Sequence, residues 1–258
     1  QSSGHVNYID TASPGVDLNT FRIKDAQQCK ASLGIDENSV IIGSVMRNQK
    51  RKLIPRLCGA FRKLLDQYET SNSSTGKNLY LYLHTSWPDA GWDIPEVLKE
   101  NRLLNKVLFT YVCKSCNDVS AQVFSGPSIV CPKCLNKTKV FPSVSSGIST
   151  EQLSTIYNTF NLYVQYAICE GFGMPQVEAA ACGVPVATVD YSAMCDIVNK
   201  LKAYPIKVDA EFKELETRAI RVYPDNDDLI QTINKVLNLP QSMIDKKRKK
   251  TRELTEKF

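Results

Sequence analysis

Cys169-Glu170-Gly171-Phe172-Gly173-Met174-Pro175-Gln176-Val177-Glu178-Ala179-Ala180-Ala181-Cys182-Gly183-Val184-Pro185-Val186 joins a strand-like run before it to a helix and a second strand after it. Gly171 and Gly173 let the backbone approach a ligand closely, and Pro175 suits the first turn of a helix, where its missing N–H is not needed. The free N–H groups of that turn can hold phosphate or hydroxyl oxygens. Glu170 falls in the glycine-bearing loop and Glu178 about one turn into the helix. A carboxylate only accepts hydrogen bonds, so Glu178 suits a pair of vicinal hydroxyls, as on a ribose, and Glu170 the hydroxyls of a sugar. Taken singly, each has a plainer reading: Glu178 compensates a helix dipole, and Glu170 is a solvated loop acid.

Working outward, residues 162–167 read as the strand before this stretch and residues 184–189 as the strand after it. Far upstream, Ser39-Val40-Ile41-Ile42-Gly43-Ser44-Val45-Met46 is a continuous apolar run of the kind buried on both faces in a parallel sheet. The basic loop Arg47-Asn48-Gln49-Lys50-Arg51-Lys52 follows, and then Leu53, Ile54, Leu57, Phe61, Leu64 and Leu65 at helical spacing. Open α/β sheets bind ligands at the carboxyl ends of strands, and cations at a helix N-terminus suit a diphosphate; the plain alternative is a solvated loop. Further strands are predicted at 79–84, 106–110, 204–208 and 219–223, and helices at 25–34, 95–102, 150–160, 193–200 and from Asp225 or Asn226 to Leu237. Residues 71–77 read as a polar loop. His84 ends its strand on the ligand edge, and a lone histidine there is given no catalytic role. The alternation predicts an α/β fold, a Rossmann-like parallel sheet with helices on both faces over residues 36–258, entered through a linker and lead-in helix at 1–35.

Four of the nine cysteines break this rhythm. Cys113-Lys114-Ser115-Cys116 and Cys131-Pro132-Lys133-Cys134 bracket residues 117–130, and their four thiolates can surround a Zn²⁺ tetrahedrally, as in zinc ribbons. A pair of disulfides or an iron site are the other readings of the same spacing. With four protein ligands such a zinc site is closed and structural. Residues 112–141 therefore read as an insert that could not bury a core without its metal. Cys29, Cys58, Cys169, Cys182 and Cys195 are scattered among apolar stretches and read as reduced, buried thiols.

At 258 residues, 43% apolar and 23% charged, the chain reads as a globular protein with a substantial core. The net charge of +5 has its clearest source in Lys246-Lys247-Arg248-Lys249-Lys250 on a predicted final helix. Such a run is a solvated face, or else it touches nucleic acid or an anionic membrane surface. No apolar run approaches the ~20 residues that cross a bilayer. The expectation is a cytoplasmic protein with a basic tail able to make peripheral membrane contact.

Residues Glu170 to Val186, quoted above, closely resemble the Glu-x7-Glu signature of the retaining GT-B glycosyltransferases, the glycosyl transferases group 1 family. Arg47 and Lys52 match that family's second signature, an Arg and a Lys a few residues apart after the first strand of the C-terminal domain. The resemblance extends from Pro14-Gly15-Val16-Asp17 to about Leu237, with the cysteine insert outside it. It implies one half of a GT-B fold, the donor-binding C-terminal domain of an enzyme that moves a hexosyl group from a nucleotide-diphosphate sugar to an acceptor with retention of configuration. Carried over by position, Arg47 and Lys52 would hold the diphosphate and stabilise charge on the leaving nucleotide. Glu170 would hold the transferred sugar, Glu178 the ribose, and the backbone of Gly171, Phe172, Gly173 and Met174 the sugar and phosphate oxygens. Thr110 to Val112, or Gly147 and Ile148, would lie near the base. Met46 departs from the glycine that often precedes the Arg. No catalytic metal is expected.

The resemblance also implies an N-terminal acceptor-binding domain, in cis or as a separate chain, without which this domain is expected to be inactive. The rival reading is a non-catalytic zinc-ribbon interaction module on a glycosyltransferase-like scaffold, reaching nucleic acid through Lys133, Lys137, Lys139 and the basic tail. The ribbon offers only Phe124 and Phe141 for base stacking, which disfavours nucleic acid.

Overall fold

Ile41 and Ile42 in strand β1 (Val40–Val45) are fully buried on opposite faces of a parallel sheet, the burial that a continuous apolar strand requires. The structure, a computed structural model, describes residues 14–71, 76, 78–143 and 145–257. The part of the expected linker at 1–13, and most of the expected loop at 71–77, lie outside the described residues. Strands β2 (Leu79–His84), β3 (Val107–Cys113), β7 (Leu162–Gln165), β8 (Val186–Val189) and β9 (Tyr204–Ile206) complete the parallel core in the order β3-β2-β1-β7-β8-β9. Each neighbouring pair is parallel, with Gly43 opposite Tyr82 on one side and Tyr163 on the other. The strand order reverses between β1 and β7, so the carboxyl ends of those two strands open a crevice there.

Side chains alternating along these strands feed two cores. Ile42, Leu81 and Leu83 face helices α2 (Ile54–Thr70), α3 (Ile94–Glu100) and α7 (Asn226–Leu237). Ile41, Tyr82 and Tyr163 face α1 (Ala26–Leu33), α4 (Thr150–Tyr157), α5 (Met174–Ala181) and α6 (Met194–Leu201). The helix ends follow local chemistry. Asp25 accepts from the Gln28 N–H at 2.8 Å at the start of α1, and Gly34 ends that helix in the left-handed conformation. Ser149 and Gln152 form a capping box on α4. Asp225 caps α7.

The insert is less separate than expected. The third strand does not stop at Thr110 but runs to Cys113, because every residue from Val107 to Cys113 is buried. Strands β4 (Val119–Val123), β5 (Ser128–Ile129) and β6 (Lys139–Val140) add to the sheet antiparallel, β4 and β6 both pairing with β3. A second departure follows β9. The expected strand at 219–223 is β11 (Ile220–Pro224), but it pairs antiparallel with the unforeseen β10 (Val208–Lys213) in a ribbon apart from the main sheet. Val208, Ala210 and Phe212 alternate with charged residues, a pattern that keeps one face wet and suits an antiparallel ribbon.

The final helix α8 (Gln241–Thr255) packs along α5 and α6. Its Arg252 donates to the carbonyls of Leu18 at 3.0 Å and Ala181 at 2.9 Å, pinning the lead-in segment to the end of α5. Lys247 lies over the Tyr204 ring at 3.9 Å, while Lys246, Lys249 and Lys250 are exposed. Among the described residues no helix is long and apolar enough to cross a membrane.

Candidate functional site

The loops leaving β1 and β7 meet at the crevice where the strand order reverses. After β1 the chain makes a 3-10 turn at Lys50–Lys52, then passes through Leu53 in the left-handed conformation into α2. That turn delivers two cations to one acid. Lys52 Nζ donates to Glu170 Oε1, and Arg51 Nη1 donates to Glu170 Oε2 at 2.9 Å and to the Cys169 carbonyl at 3.2 Å. Gln165 Nε2 donates to Glu170 Oε1 at 2.7 Å and is itself held by the Tyr163 hydroxyl at 2.6 Å. The Lys52 and Glu170 side chains are each 7% exposed. Burial pulls the Lys52 ammonium below its ordinary pKa, with Glu170 opposing. Arg51 carried no site role in the sequence reading; its only signal was its place in the basic loop.

Gly173 turns the chain into α5 at φ 89°, and a Cβ there would fall 2.0 Å from Gln176 Nε2. Gln176 is buried, and neither atom of its amide has a partner among the described residues. Met174 and Pro175 start the helix, as predicted for Pro175. Glu178 stands on the next turn and accepts from the Tyr157 hydroxyl at 2.7 Å. Burial raises the Glu178 pKa, and the Tyr157 hydrogen bond opposes the rise. Burial and the Glu178 charge together push the Tyr157 phenol well above its ordinary value.

Arg47 does not join Lys52. It is 57% exposed and makes a two-pronged pair with Asp89, Nε to Oδ2 at 3.0 Å and Nη2 to Oδ1 at 3.2 Å. Arg47, Ser86 and the Ala90 N–H hold the Asp89 carboxyl well below the usual carboxylate range. Asp89, which no motif marks, thus sets where Arg47 points. Arg47 borders a cleft of about 700 Å³ with His84, Ser143, Gly147, Ile148 and Pro175. Thr110 does not reach that cleft. It is fully buried, its hydroxyl 2.8 Å from both the Tyr82 hydroxyl and His84 Nδ1, and His84 in turn borders the cleft. Tyr111 and Val112 are buried as well, which leaves Gly147 and Ile148 on the cleft wall. Burial pushes the His84 imidazole down to about 4.

The four paired cysteines converge, with their sulfurs all within 4.8 Å of one another. Cys113 and Cys134 sulfurs lie 3.5 Å apart and those of Cys116 and Cys131 3.7 Å apart, close to the ~3.8 Å edge of a tetrahedron with 2.3 Å metal–sulfur bonds. All nine cysteines are free thiols, which sets the disulfide reading aside. The two turns repeat one geometry: Asn117 N–H donates to Cys113 O at 2.9 Å and Leu135 N–H to Cys131 O at 2.8 Å, with Asn117 and Leu135 both left-handed. The donor set fits a tetrahedral ion. Lys139 is fully buried and paired with Asp118 at 2.6 Å, and Phe141 is packed against Tyr111 at 4.7 Å. Lys139 is thus not placed to meet nucleic acid, contrary to the support that the rival reading drew from it, and the Phe141 ring is packed inside rather than free for base stacking.

Residues 135–258 match the family described as glycosyl transferases group 1. The chain is 24% identical over 186 residues to D-inositol 3-phosphate glycosyltransferase of Rhodococcus erythropolis, covering 72% of this chain and 34% of that protein. It thus spans about a third of the curated relatives it matches. Among solved structures, sucrose-phosphate synthase from Thermosynechococcus elongatus superposes with a TM-score of 0.63 at 18% identity, over 94% of this chain and 46% of the other. Anabaena Alr3699/HepE in complex with UDP-glucose gives 0.61 at 13% identity, over 94% and 51%. The fold is therefore that of one half of a GT-B glycosyltransferase, and its C-terminal part, residues 135–258, is matched by the glycosyl transferases group 1 family.

Proposed function

We propose that this chain is the donor-binding half of a retaining glycosyltransferase that uses a nucleotide-diphosphate sugar. The observation that carries the reading is the meeting of the Arg51-Lys52 turn with Glu170 at the β1/β7 crevice, with the first turn of α5 and Glu178 beside it. The diphosphate lies against Lys52, Arg47 and the free N–H groups of α5, and Glu178 accepts from the ribose hydroxyls. The base lies in the cleft beside Gly147 and Ile148, and the backbone from Gly171 to Met174 meets the sugar and phosphate oxygens. As the diphosphate draws Lys52, Glu170 is released to accept from the transferred sugar. The anomeric C–O bond breaks with its electron pair going to the diphosphate, whose growing charge Lys52 and Arg47 stabilise. The acceptor oxygen bonds to that carbon on the same face, and its proton passes to the departing diphosphate. The superposition with a protein held in complex with UDP-glucose supports this class of donor.

The acceptor-binding half belongs to a further domain or chain, which accords with the share of the relatives that this chain spans. Cys113, Cys116, Cys131 and Cys134 hold a structural Zn²⁺ that braces the insert and takes no part in the transfer. Calorimetric titration with UDP, GDP and ADP tests the donor reading, since saturable binding of at least one is expected and silence from all three contradicts it.

A further inference from the structure

Tyr82 and His84 stand two residues apart on β2, with Thr110 on the neighbouring β3, so period-two alternation puts all three side chains on one face of the sheet. They form a single chain of hydrogen bonds. The Thr110 hydroxyl lies 2.8 Å from the Tyr82 hydroxyl on one side and 2.8 Å from His84 Nδ1 on the other. Tyr82 and Thr110 are fully buried, whereas His84 is half-buried and borders the cleft that also holds Arg47, Gly147 and Ile148.

The protons of this chain follow from what can accept them. Burial raises the Tyr82 pKa, so the phenol keeps its proton. Among the described residues its acceptor is Thr110 Oγ1, and a buried hydroxyl proton without an acceptor is costly. Tyr82 therefore donates to Thr110, and the Thr110 O–H is left to donate to His84 Nδ1. Burial pushes the imidazole down to about 4, so it is neutral near pH 7 and carries one proton. With Nδ1 accepting, that proton sits on Nε2. Nε2 has no partner among the described residues and is not sealed inside the protein, so its N–H opens to the cleft.

We infer that His84 is a specificity residue whose Nε2–H reads the nucleobase, selecting a base with a carbonyl oxygen on the edge remote from the ribose, as in uracil or guanine, over one with an amino group there. The inference rests on the donor reading above and deepens it. The ribose is assigned to Glu178 on α5, which follows β7, and β2 lies beyond β1 from β7. A base running along the cleft from that ribose therefore meets His84 with its remote edge. Ile148, Leu153 and Pro175 give the cleft apolar walls without side-chain hydrogen-bonding groups. The Ser143 and Ser145 hydroxyls, also on its wall, can turn to donate or to accept, and so do not tell a carbonyl from an amine. A fixed Nε2–H does, because an amino group placed against it leaves two desolvated donors opposed. Thr110 and Tyr82 touch no ligand and are positioning residues that act through His84.

Two measurements test this. The first is the nitrogen NMR spectrum of the imidazole in the free chain. The sequence holds two histidines, so His5→Gln leaves His84 as the single ring to be read. A proton on Nε2 is expected, with the preference lost in Thr110→Val; a proton on Nδ1 overturns the inference whatever the nucleotides do. The second is calorimetric titration with UDP, CDP, GDP and ADP. Whichever ring size the cleft accepts, UDP should bind about tenfold or more tightly than CDP, or GDP than ADP. His84→Leu should abolish that preference, and His84→Gln, whose amide N–H can replace Nε2–H, should keep more of it. Thr110→Val should narrow it from a buried position. Equal binding within both pairs, a preference that survives in His84→Leu, or an equal loss of both members of a pair in that variant overturns the reading of the base and leaves the donor site standing. Absence of binding by all four removes the donor reading, and the reading of the base with it.

Discussion

Lys52 and Glu170 form a buried ion pair that ties the loop after β1 to the loop after β7 across the point where the sheet reverses direction. Each side chain is 7% exposed, and Arg51 and Gln165 complete the hydrogen bonds of the carboxylate. A buried acid with one cation removed is costly, by about 3–5 kcal/mol where nothing else compensates. Because Arg51 remains, Lys52→Ala should cost about 2–3 kcal/mol of unfolding free energy. Lys52→Ala combined with Glu170→Gln should regain most of it. Urea unfolding of the parent and these two variants measures this, and a double variant no more stable than Lys52→Ala would mean that the two residues are not coupled.

Glu178 is held in a way that trades stability for a binding group. Its folded pKa is raised above the ordinary 4.5, so protonated Glu178 stabilises the chain below that value, and the contribution is lost as pH rises through the raised pKa. Glu178→Gln keeps an acceptor for the Tyr157 hydroxyl and removes the charge. The variant should melt at a higher temperature than the parent at pH 8 and at the same temperature at pH 4. Its nucleotide affinity should fall about tenfold, on the order of 1–3 kcal/mol for a charge-assisted bond. Identical melting curves at both pH values would show that the burial carries no cost.

Gly173 is required twice over, by its φ of 89° and by the Gln176 amide 2.0 Å from where a Cβ would sit. Gly173→Ala should destabilise the chain by about 1–3 kcal/mol and weaken nucleotide binding with it. Gly171→Ala, with no protein atom within 4 Å of its Cβ, is the control for stability and should not destabilise the chain to a comparable degree. Equal destabilisation at the two positions would contradict this reading of the turn.

How much of this was legible in the sequence depended on range. The continuous run of β1 and the glycines and proline around Glu170 are local signals, and they gave the sheet class and the entry to α5. The cysteine spacing was legible for the same reason, since each knuckle closes within a few residues. Long-range pairings left no such trace. Asp89 holds Arg47 across 42 residues and Arg51 reaches Glu170 across 119, and no periodicity records either. The Thr110 hydroxyl is engaged in the same long-range way, by Tyr82 across 28 residues and by His84 across 26. The ribbon of β10 and β11 was half seen, because β10 carries charge on every second residue and reads as loop.

The insert bears on the cleft through aromatic packing. Phe124 and Phe141 lie 5.4 and 5.8 Å from Trp87, in the loop that also carries Asp89. Protein purified without chelator should contain about one Zn per chain, and removing it with a thiol-reactive displacer should lower the melting temperature and alter tryptophan emission. Metal-free protein with four titratable thiols and an unchanged melting curve would remove the metal from the account.

The most direct measurement is calorimetric titration of the chain and of Arg47→Ala and Glu178→Ala with UDP, GDP and ADP. One of the three nucleotides should bind saturably, and each substitution should weaken it about tenfold or more, on the order of 1–3 kcal/mol for a lost charge-assisted hydrogen bond. Absence of binding by all three, or affinities that neither substitution changes, would contradict the assignment of the β1/β7 crevice as a nucleotide-sugar site.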